Sequence, residues 1–336
     1  MSVSAWWLLY WYDDLRHDPA ILKRVVAYAR FLQAAQRPNG TIPTYFFADL
    51  RPAKQLLESA TTAINGAVLA RAALLAGDAG LRQAALAAGR FVEERIVPGL
   101  AFSDFETYYS CSPKPLHAID YWTGIRPHCN LSIQWACDQY LALHQLTGDA
   151  HWLRRGEYLL DVLSLYQQVW NPLHLDGYLF GGFGVMNTDG EWNDGRQARF
   201  VPTYADYYAA TGKVEYLERA IAACRASFAL MDIPENHAND INNVHMPQGP
   251  GLGYAPENIH HAGANSGYGW TGLSWSSGGG LAASAYLERH FGSVWVDGQT
   301  RQAIPIDGVS ASIEHWGEGE ISLRVVSALA GLPSPY

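Results

Sequence analysis

Three short turns constrain this chain more than any other feature: Leu75-Ala76-Gly77-Asp78, Leu146-Thr147-Gly148-Asp149 and Ala210-Thr211-Gly212-Lys213. Each closes one run of helically spaced apolar residues and opens another. Glycine stands where a helix ends in a left-handed residue at least cost, and Asp78 and Asp149 follow where a carboxylate caps the next helix. The turns recur about every 65–70 residues, a period that predicts stacked helical hairpins. Short turns that alternate with long loops place the turns at one end of the assembly and the loops at the other.

The apolar stripes agree. Asp18-Pro19 predicts a cap followed by proline at the first helical position, and Ile21, Val25, Tyr28 and Leu32 then keep one face. A second helix starts at Thr61 or Thr62 and carries Ile64, Val68, Ala72 and Leu75; its partner carries Leu81, Ala85, Ala88, Val92 and Ile96. Leu131 to Leu146 and the arm through Trp152, Gly156, Leu159, Leu160 and Leu163 form a third hairpin. Leu217, Ala220, Ile221, Cys224, Phe228 and Met231 mark the return arm of a fourth, and a fifth helix runs from about Leu281 to His290. After Gly292 the period changes. Val294-Trp295-Val296 and Ala303 to Ile306 flank Asp297-Gly298, a β-hairpin signal, and Ile313 to Val326 adds strand. The expected fold is therefore mainly α: antiparallel helical hairpins over 1–292, with a short β-rich extension over 293–336.

With 336 residues, 49% of them hydrophobic and 16% charged, the chain can bury a large core. A net charge of −9 without a Lys/Arg block excludes a nucleic-acid surface. No apolar run reaches the length of a membrane span. The apolar start, Ser4 to Tyr12, lacks a basic region and a small-residue cleavage site, so it reads as a core helix rather than a signal peptide. Opening so abruptly inside a hydrophobic helix is expected of a piece of something longer; the compartment is left open. Cys111, Cys129, Cys137 and Cys224 have neither C-x-x-C pairing nor a histidine at metal spacing, so four free thiols are expected.

The long loops, about 39–60, 98–129, 169–193 and 232–275, carry the chemistry. Brought to one face they line a cleft with Tyr45, Phe46, Tyr108, Tyr109, Tyr121, Trp122, Trp192, Trp270 and Trp275. Hairpins with an aromatic cleft at one end resemble the (α/α) toroids of the six-hairpin glycosidase-like superfamily, which includes glycoside hydrolases, phosphorylases, polysaccharide lyases and sugar epimerases. That resemblance covers the chain to about Gly292. It departs in the count, four hairpins and a fifth helix, so the sixth hairpin is missing, hidden in 232–275, or lost by truncation.

Within it, Asp189-Gly190-Glu191-Trp192-Asn193-Asp194-Gly195 is similar to the G-D-W-N-D-G segment of inverting disaccharide phosphorylases. The resemblance implies that Asp194 is the general acid, with Glu191 at the place of the first aspartate. Physically, glycosidic cleavage needs one carboxyl to protonate the leaving oxygen and a second to activate water or attack. Asp194 is equally placed to N-cap the helix that carries Arg196, Arg199 and Tyr204. In Ser103 to Tyr109, Asp104 and Glu106 share a face only if the segment is extended; Glu106 is a candidate second carboxylate. A third cluster, Glu257 to Asn265 with Tyr268 and Trp270, contains Asn258, His260 and His261. Lyases on this toroid assemble Asn, His, Tyr and Arg against a uronate, roles that Asn258, His260, Tyr268 and Arg196 or Arg199 could fill.

The reading is an enzyme acting on an oligo- or polysaccharide, with no cofactor or metal implied and with neither nucleic acid nor membrane as partner. Hydrolysis is expected, with Asp194 as acid and Glu106 or Glu191 as base or nucleophile. Tyr108, Tyr109, Trp192, Arg196, Arg199, Asn258, His261, Trp270 and Trp275 would hold sugar. The alternatives are a lyase using His260 and Tyr268, or a glycan-binding module without catalysis.

Overall fold

Gly77, Gly148 and Gly212 take the left-handed conformation at φ 62°, 74° and 72°, and each ends a helix. In the computed structural model the described residues are 1–104, 107, 115, 118–171, 179–188, 192–232, 253–259, 271–272, 276–306 and 308–327. They fall into two units, one built from Met1–Tyr166 with Gly184–Glu191, the other mainly from Gln167–Phe183, Trp192–His260 and Gly267–Tyr336.

In the first unit, α1 (Ser2–Tyr10) and α2 (Pro19–Ala35) are followed by two hairpins, α3 (Thr62–Ala76) with α4 (Ala79–Phe91), and α5 (Asn130–Thr147) with α6 (Ala150–Ser164). Asp18 caps α2 by accepting from the Ala20 N–H, Asp78 caps α4 through Gly80 and Leu81, and Asp149 caps α6 through His151. The two arms of each hairpin differ. Helices α3 and α5 are buried on every side over most of their length, whereas α4 and α6 bury single stripes, Leu81 to Phe91 and Trp152 to Leu163. A helix apolar all round is an inner helix; one with a polar face is an outer helix. Arg82, in the first turn of α4, donates to the Leu146 carbonyl at 2.6 Å, so the Gly77 and Gly148 turns lie at one end of this unit. The N-termini of α3 and α5 consequently lie at the other end.

The N-terminal segment is less wholly core than its composition suggests. Trp6, Leu9 and Tyr10 are buried, but Leu8, Trp11 and Leu15 are exposed, and the helix passes into a π turn over Trp11–Leu15. Arg71 bridges this region, lying over the Trp6 and Tyr10 rings while pairing with Asp13 at 2.5 Å.

The second unit repeats the hairpin in α7 (Phe200–Thr211) and α8 (Val214–Ala229), again with a buried inner arm and a striped outer arm. Helix α9 (Gly278–Phe291) packs on the 3₁₀ turn Gly195–Arg199. Two short antiparallel pairs lie nearby: β1 (Asn193–Asp194) with β3 (Asn258–Ile259), and β2 (Ala255–Pro256) with β4 (Thr271–Gly272). The C-terminal strands form the expected appendix as two hairpins, β5 (Val294–Asp297) with β6 (Gln302–Pro305), and β7 (Val309–Gly317) with β8 (Glu320–Ser327). Asp297 makes the first turn, accepting from the Gln299 and Thr300 N–H groups. It also ties the ribbon to α7: Tyr208 donates to its carboxylate at 2.5 Å and Trp295 donates to the Tyr208 hydroxyl at 2.6 Å. Burial and the Asp297 hydrogen bond push the Tyr208 phenol up to about 12.

Cys129, Cys137 and Cys224 are buried free thiols; Cys111 lies outside the described residues. No helix among the described residues is long and apolar enough to cross a membrane.

Candidate functional site

The sequence cluster around Asp194 and the cluster around Asn258 meet. Asp194 and Asn258 are directly opposite in the β1–β3 pair, and the Gly195 N–H donates to the Glu257 carbonyl at 2.6 Å. Asp194 accepts the Arg196 N–H at 2.8 Å through Oδ1, as the cap of the 3₁₀ turn, and Arg196 Nη1 at 2.9 Å through Oδ2. The other terminal nitrogen of the guanidinium, Nη2, reaches Glu257 Oε1 at 2.9 Å. One arginine thus joins two carboxylates that are 63 positions apart in sequence (257 − 194). Asp194 and Arg196 are 1% and 2% exposed, whereas the Glu257 side chain is 28% exposed.

Local sequence makes this possible. A Cβ on Gly195 would lie 2.1 Å from Ser276 Oγ, so only glycine lets the start of α9 close on the turn that carries Arg196. The planar guanidinium fork suits two simultaneous carboxylate contacts. A neighbouring cation favours the ionised carboxylate, so the proton-donor role expected of Asp194 has to overcome the Arg196 contact. Glu257, which the sequence offered only as the first residue of the third cluster, is the member that reaches solvent.

The aromatic expectations divide. Trp192 packs against a buried cluster of Leu179, Leu230, Met231 and Ala255, with its ring edge-on to Trp170 at 6.3 Å. Tyr121 and Trp122 are each 88% exposed on a turn held by Asp120. Arg199 ends the 3₁₀ turn, half-buried. Glu106, Tyr108, Tyr109, Glu191, His260, His261, Tyr268, Trp270 and Trp275 lie outside the described residues.

A second polar cluster occupies the N-terminus of α5, in the first unit. Asp104 is fully buried and accepts from the Ser132 hydroxyl. Its N–H donates to Thr107 Oγ1 at 2.8 Å, and the Thr107 N–H returns to its carboxylate at 3.4 Å. That reciprocal pattern belongs to a helix start, with Asp104 as its cap; Glu106 lies outside the described residues. His128 is buried beside them. Its Nδ1 lies 3.2 Å from the Arg126 carbonyl, so that nitrogen carries the proton and Nε2 accepts from the Tyr166 hydroxyl at 2.8 Å. Burial drives the imidazole down to about 4, so it is neutral at neutral pH. Among the described residues no three or more His, Cys, Asp or Glu side chains gather where a metal ion could be held.

No protein-family model matches the sequence, and no curated protein does. The fold does have known counterparts. An unsaturated glucuronyl hydrolase from Bacillus sp. GL1, responsible for the degradation of glycosaminoglycan, matches with TM-score 0.53 and 14% identity over 86% of this chain and 72% of its own. A complex of a UGL variant with the oligosaccharide dGlcA-Glc-Rha-Glc gives TM-score 0.56, again at 14% identity and covering 86% and 72%. The fold is that of the six-hairpin (α/α) toroids. At 14% identity the likeness to these toroids extends to the fold alone.

Proposed function

We propose that the protein is a carbohydrate-active enzyme that hydrolyses glycosidic bonds, with the Asp194–Arg196–Glu257 chain as its acid–base pole. The observation that carries the reading is the buried guanidinium bound to two carboxylates, one sealed and one reaching solvent. In this arrangement Asp194 orients Arg196, and Glu257, the carboxyl of the pair that reaches solvent, exchanges a proton with the leaving group, against the same pull of the Arg196 cation that Asp194 feels. Glu106 or Glu191 supplies the second carboxylate. The variant in which Asp194 itself is the acid is favoured by its place in the D-G-E-W-N-D-G segment. Elimination is disfavoured, because Arg196, already bound to two carboxylates, is poorly suited to neutralise a uronate as well. His260 and Tyr268 carry that alternative.

The names of the structural neighbours make unsaturated uronyl oligosaccharides the first substrates to try, followed by their saturated counterparts. Near-ultraviolet absorbance separates the chemistries: it falls when an unsaturated uronyl unit is released by hydrolysis, rises in elimination, and stays flat when a saturated glycoside is hydrolysed. The Glu257→Gln variant is expected to lose about 10²–10⁴-fold in rate, the contribution of a positioned general acid, with substrate binding retained. Asp194→Asn keeps the cap but breaks a buried pair, so its rate loss comes with about 3–5 kcal/mol lower stability. A normal rate in Glu257→Gln with a large loss in a stably folded Asp194→Asn protein makes Asp194 the acid. Normal rates in both refute this acid–base pole.

A further inference from the structure

The last ribbon of the second unit has an unpaired edge. Strand β8 pairs with β7 on one side, and among the described residues no strand lies against its other side. An open edge exposes a row of N–H and C=O groups, which proteins blunt with proline, lysine, a bulge or a short strand. Strand β8 is eight residues long and holds no proline, glycine or lysine, and the bulge of the ribbon falls on β7, between Ile313 and His315. That bulge also orders the faces. It leaves Trp316 opposite Ile321, on the same side as the pairs Ile313–Leu323 and Ala311–Val325, so one face of the ribbon is apolar along its length. The β7 half of this face is partly covered by its own unit: Ala311 and Ile313 are half-buried, and Arg301 lies over the Trp316 ring at 5.6 Å. The β8 half is open, with Ile321, Leu323 and Val325 exposed by 42%, 37% and 45%.

The opposite face of β8 identifies the strand that fits this edge. Glu320, Ser322 and Arg324 alternate along it. Neither Glu320 nor Arg324 has an ion-pair partner among the described residues. A copy of β8 laid antiparallel about Ser322 sets Glu320 opposite Arg324 at both ends of the seam and Ile321 opposite Leu323 on either side of its centre. Opposite charges directly across a pair of strands attract, and the side-chain period of two keeps apolar face with apolar face. Other registers that preserve the faces lose the charge match. Centred on Leu323, the seam puts Glu320 against Val326; centred on Arg324, it puts two guanidiniums opposite each other. The spacing of acid, serine and base is thus its own complement in an antiparallel copy, which selects a second copy of this chain over an unrelated strand.

We propose that β8 is a dimerisation edge, at which a second copy of the chain adds its own β8 antiparallel and joins the two ribbons into one sheet. The other strand of the ribbon, β7, already lies beside β6, so the pairing closes at two copies. It owes nothing to the glycosidic chemistry proposed above. The test follows the whole chain by sedimentation velocity over a concentration series and by amide hydrogen exchange. A reversible dimer with a Kd of about 0.1 mM or tighter is expected, with the β8 amides gaining protection as concentration rises. Arg324→Glu turns both attractive pairs into pairs of carboxylates and is expected to weaken the dimer about tenfold or more, as is Glu320→Arg, which makes them pairs of guanidiniums. The double variant Glu320→Arg/Arg324→Glu restores opposite charges and is expected to return the affinity to within about threefold of the parent. Both residues are exposed, so helical circular dichroism and Tm are expected to hold in all three variants. A parent chain that is monomeric at about 0.1 mM overturns the proposal. So does a dimer indifferent to the single charge reversals, one not rescued by the double variant, or one whose β8 amides exchange as fast as in the monomer.

Discussion

The buried imidazole of His128 makes the first unit sensitive to acid in a defined window. It is fully buried, bound to the Arg126 carbonyl and the Tyr166 hydroxyl, and lies at about 4 instead of 6.5, chiefly through desolvation. In the unfolded chain the same ring takes up its proton near 6.5. Between those values the unfolded state binds one more proton than the folded one, so stability falls as pH falls, by up to about 1.4 kcal/mol per pH unit. Across the window of roughly two and a half units the loss reaches about 3 kcal/mol, complete below about pH 4. Above 6.5 the ring contributes nothing to the slope. The carboxylates of Asp49, Asp78 and Asp120, held low mainly by hydrogen bonds, add losses only as pH falls through and below their ordinary range near 3.8.

The perturbation is His128→Gln, whose amide can still donate to a carbonyl and accept from Tyr166 but does not titrate. Urea unfolding at half-unit steps from pH 7.5 to 4 gives one stability curve for each protein. Their difference isolates the imidazole and is expected to change by about 3 kcal/mol, with most of the change between pH 6 and 4.5. The histidine ring proton, followed by NMR in the folded protein, is expected to shift with a midpoint near 4. Parallel stability curves, or a ring that titrates near 6.5, would show that solvent reaches His128 and refute the argument.

Two further predictions read the helix turns and the ribbon. Gly148→Ala meets no atom within 4 Å, so its cost is backbone alone, about 1–2 kcal/mol by thermal or urea unfolding, and a larger loss would mean an unseen clash. Tyr208→Phe leaves the Trp295 N–H without its acceptor and removes the Tyr208 donor from Asp297 Oδ2, and is expected to cost about 1–3 kcal/mol with the helical circular dichroism unchanged.

The turns were legible in sequence because their chemistry is local. A left-handed glycine followed by a capping aspartate needs no distant partner, and Gly77-Asp78 and Gly148-Asp149 do what their residue types require. Asp297-Gly298 is legible for the same reason, with Asp297 folding the turn onto its own carboxylate. The π turns at Trp11–Leu15 and Val92–Ile96 carry no comparable local signal and were not anticipated. At the site, Asp194 and Asn258 were each visible as candidates. Their pairing, and the reach of Arg196 to Glu257, depend on contacts more than 60 positions apart that no spacing encodes. The packing of Trp192 was hidden for a related reason: an aromatic in a Gly-rich loop has no periodicity to show that it leans on Leu179, Leu230 and Met231.

The inner helices carry this argument furthest. Helix α5 holds Asn130, Ser132, Gln134, Asp138 and Gln139, a content that reads as a solvated face, yet all are buried. Their partners explain most of it: Gly184 for Asn130, Asp104 for Ser132, and Asp138 for Gln134. Gln139 is accommodated by shape instead. Its amide nitrogen lies 2.0 Å from where a Cβ on Gly66 would stand, so the missing methyl on α3 makes room for an amide on α5. Buried polar groups call for partners, and those of Asn130, Ser132 and Gln134 lie in loops or on α5 itself; Gln139, with no hydrogen-bond partner for its amide among the described residues, is the one that fits α5 to α3, through the space at Gly66. The composition that obscures an inner helix in the sequence is therefore the same composition that sets its packing in the fold.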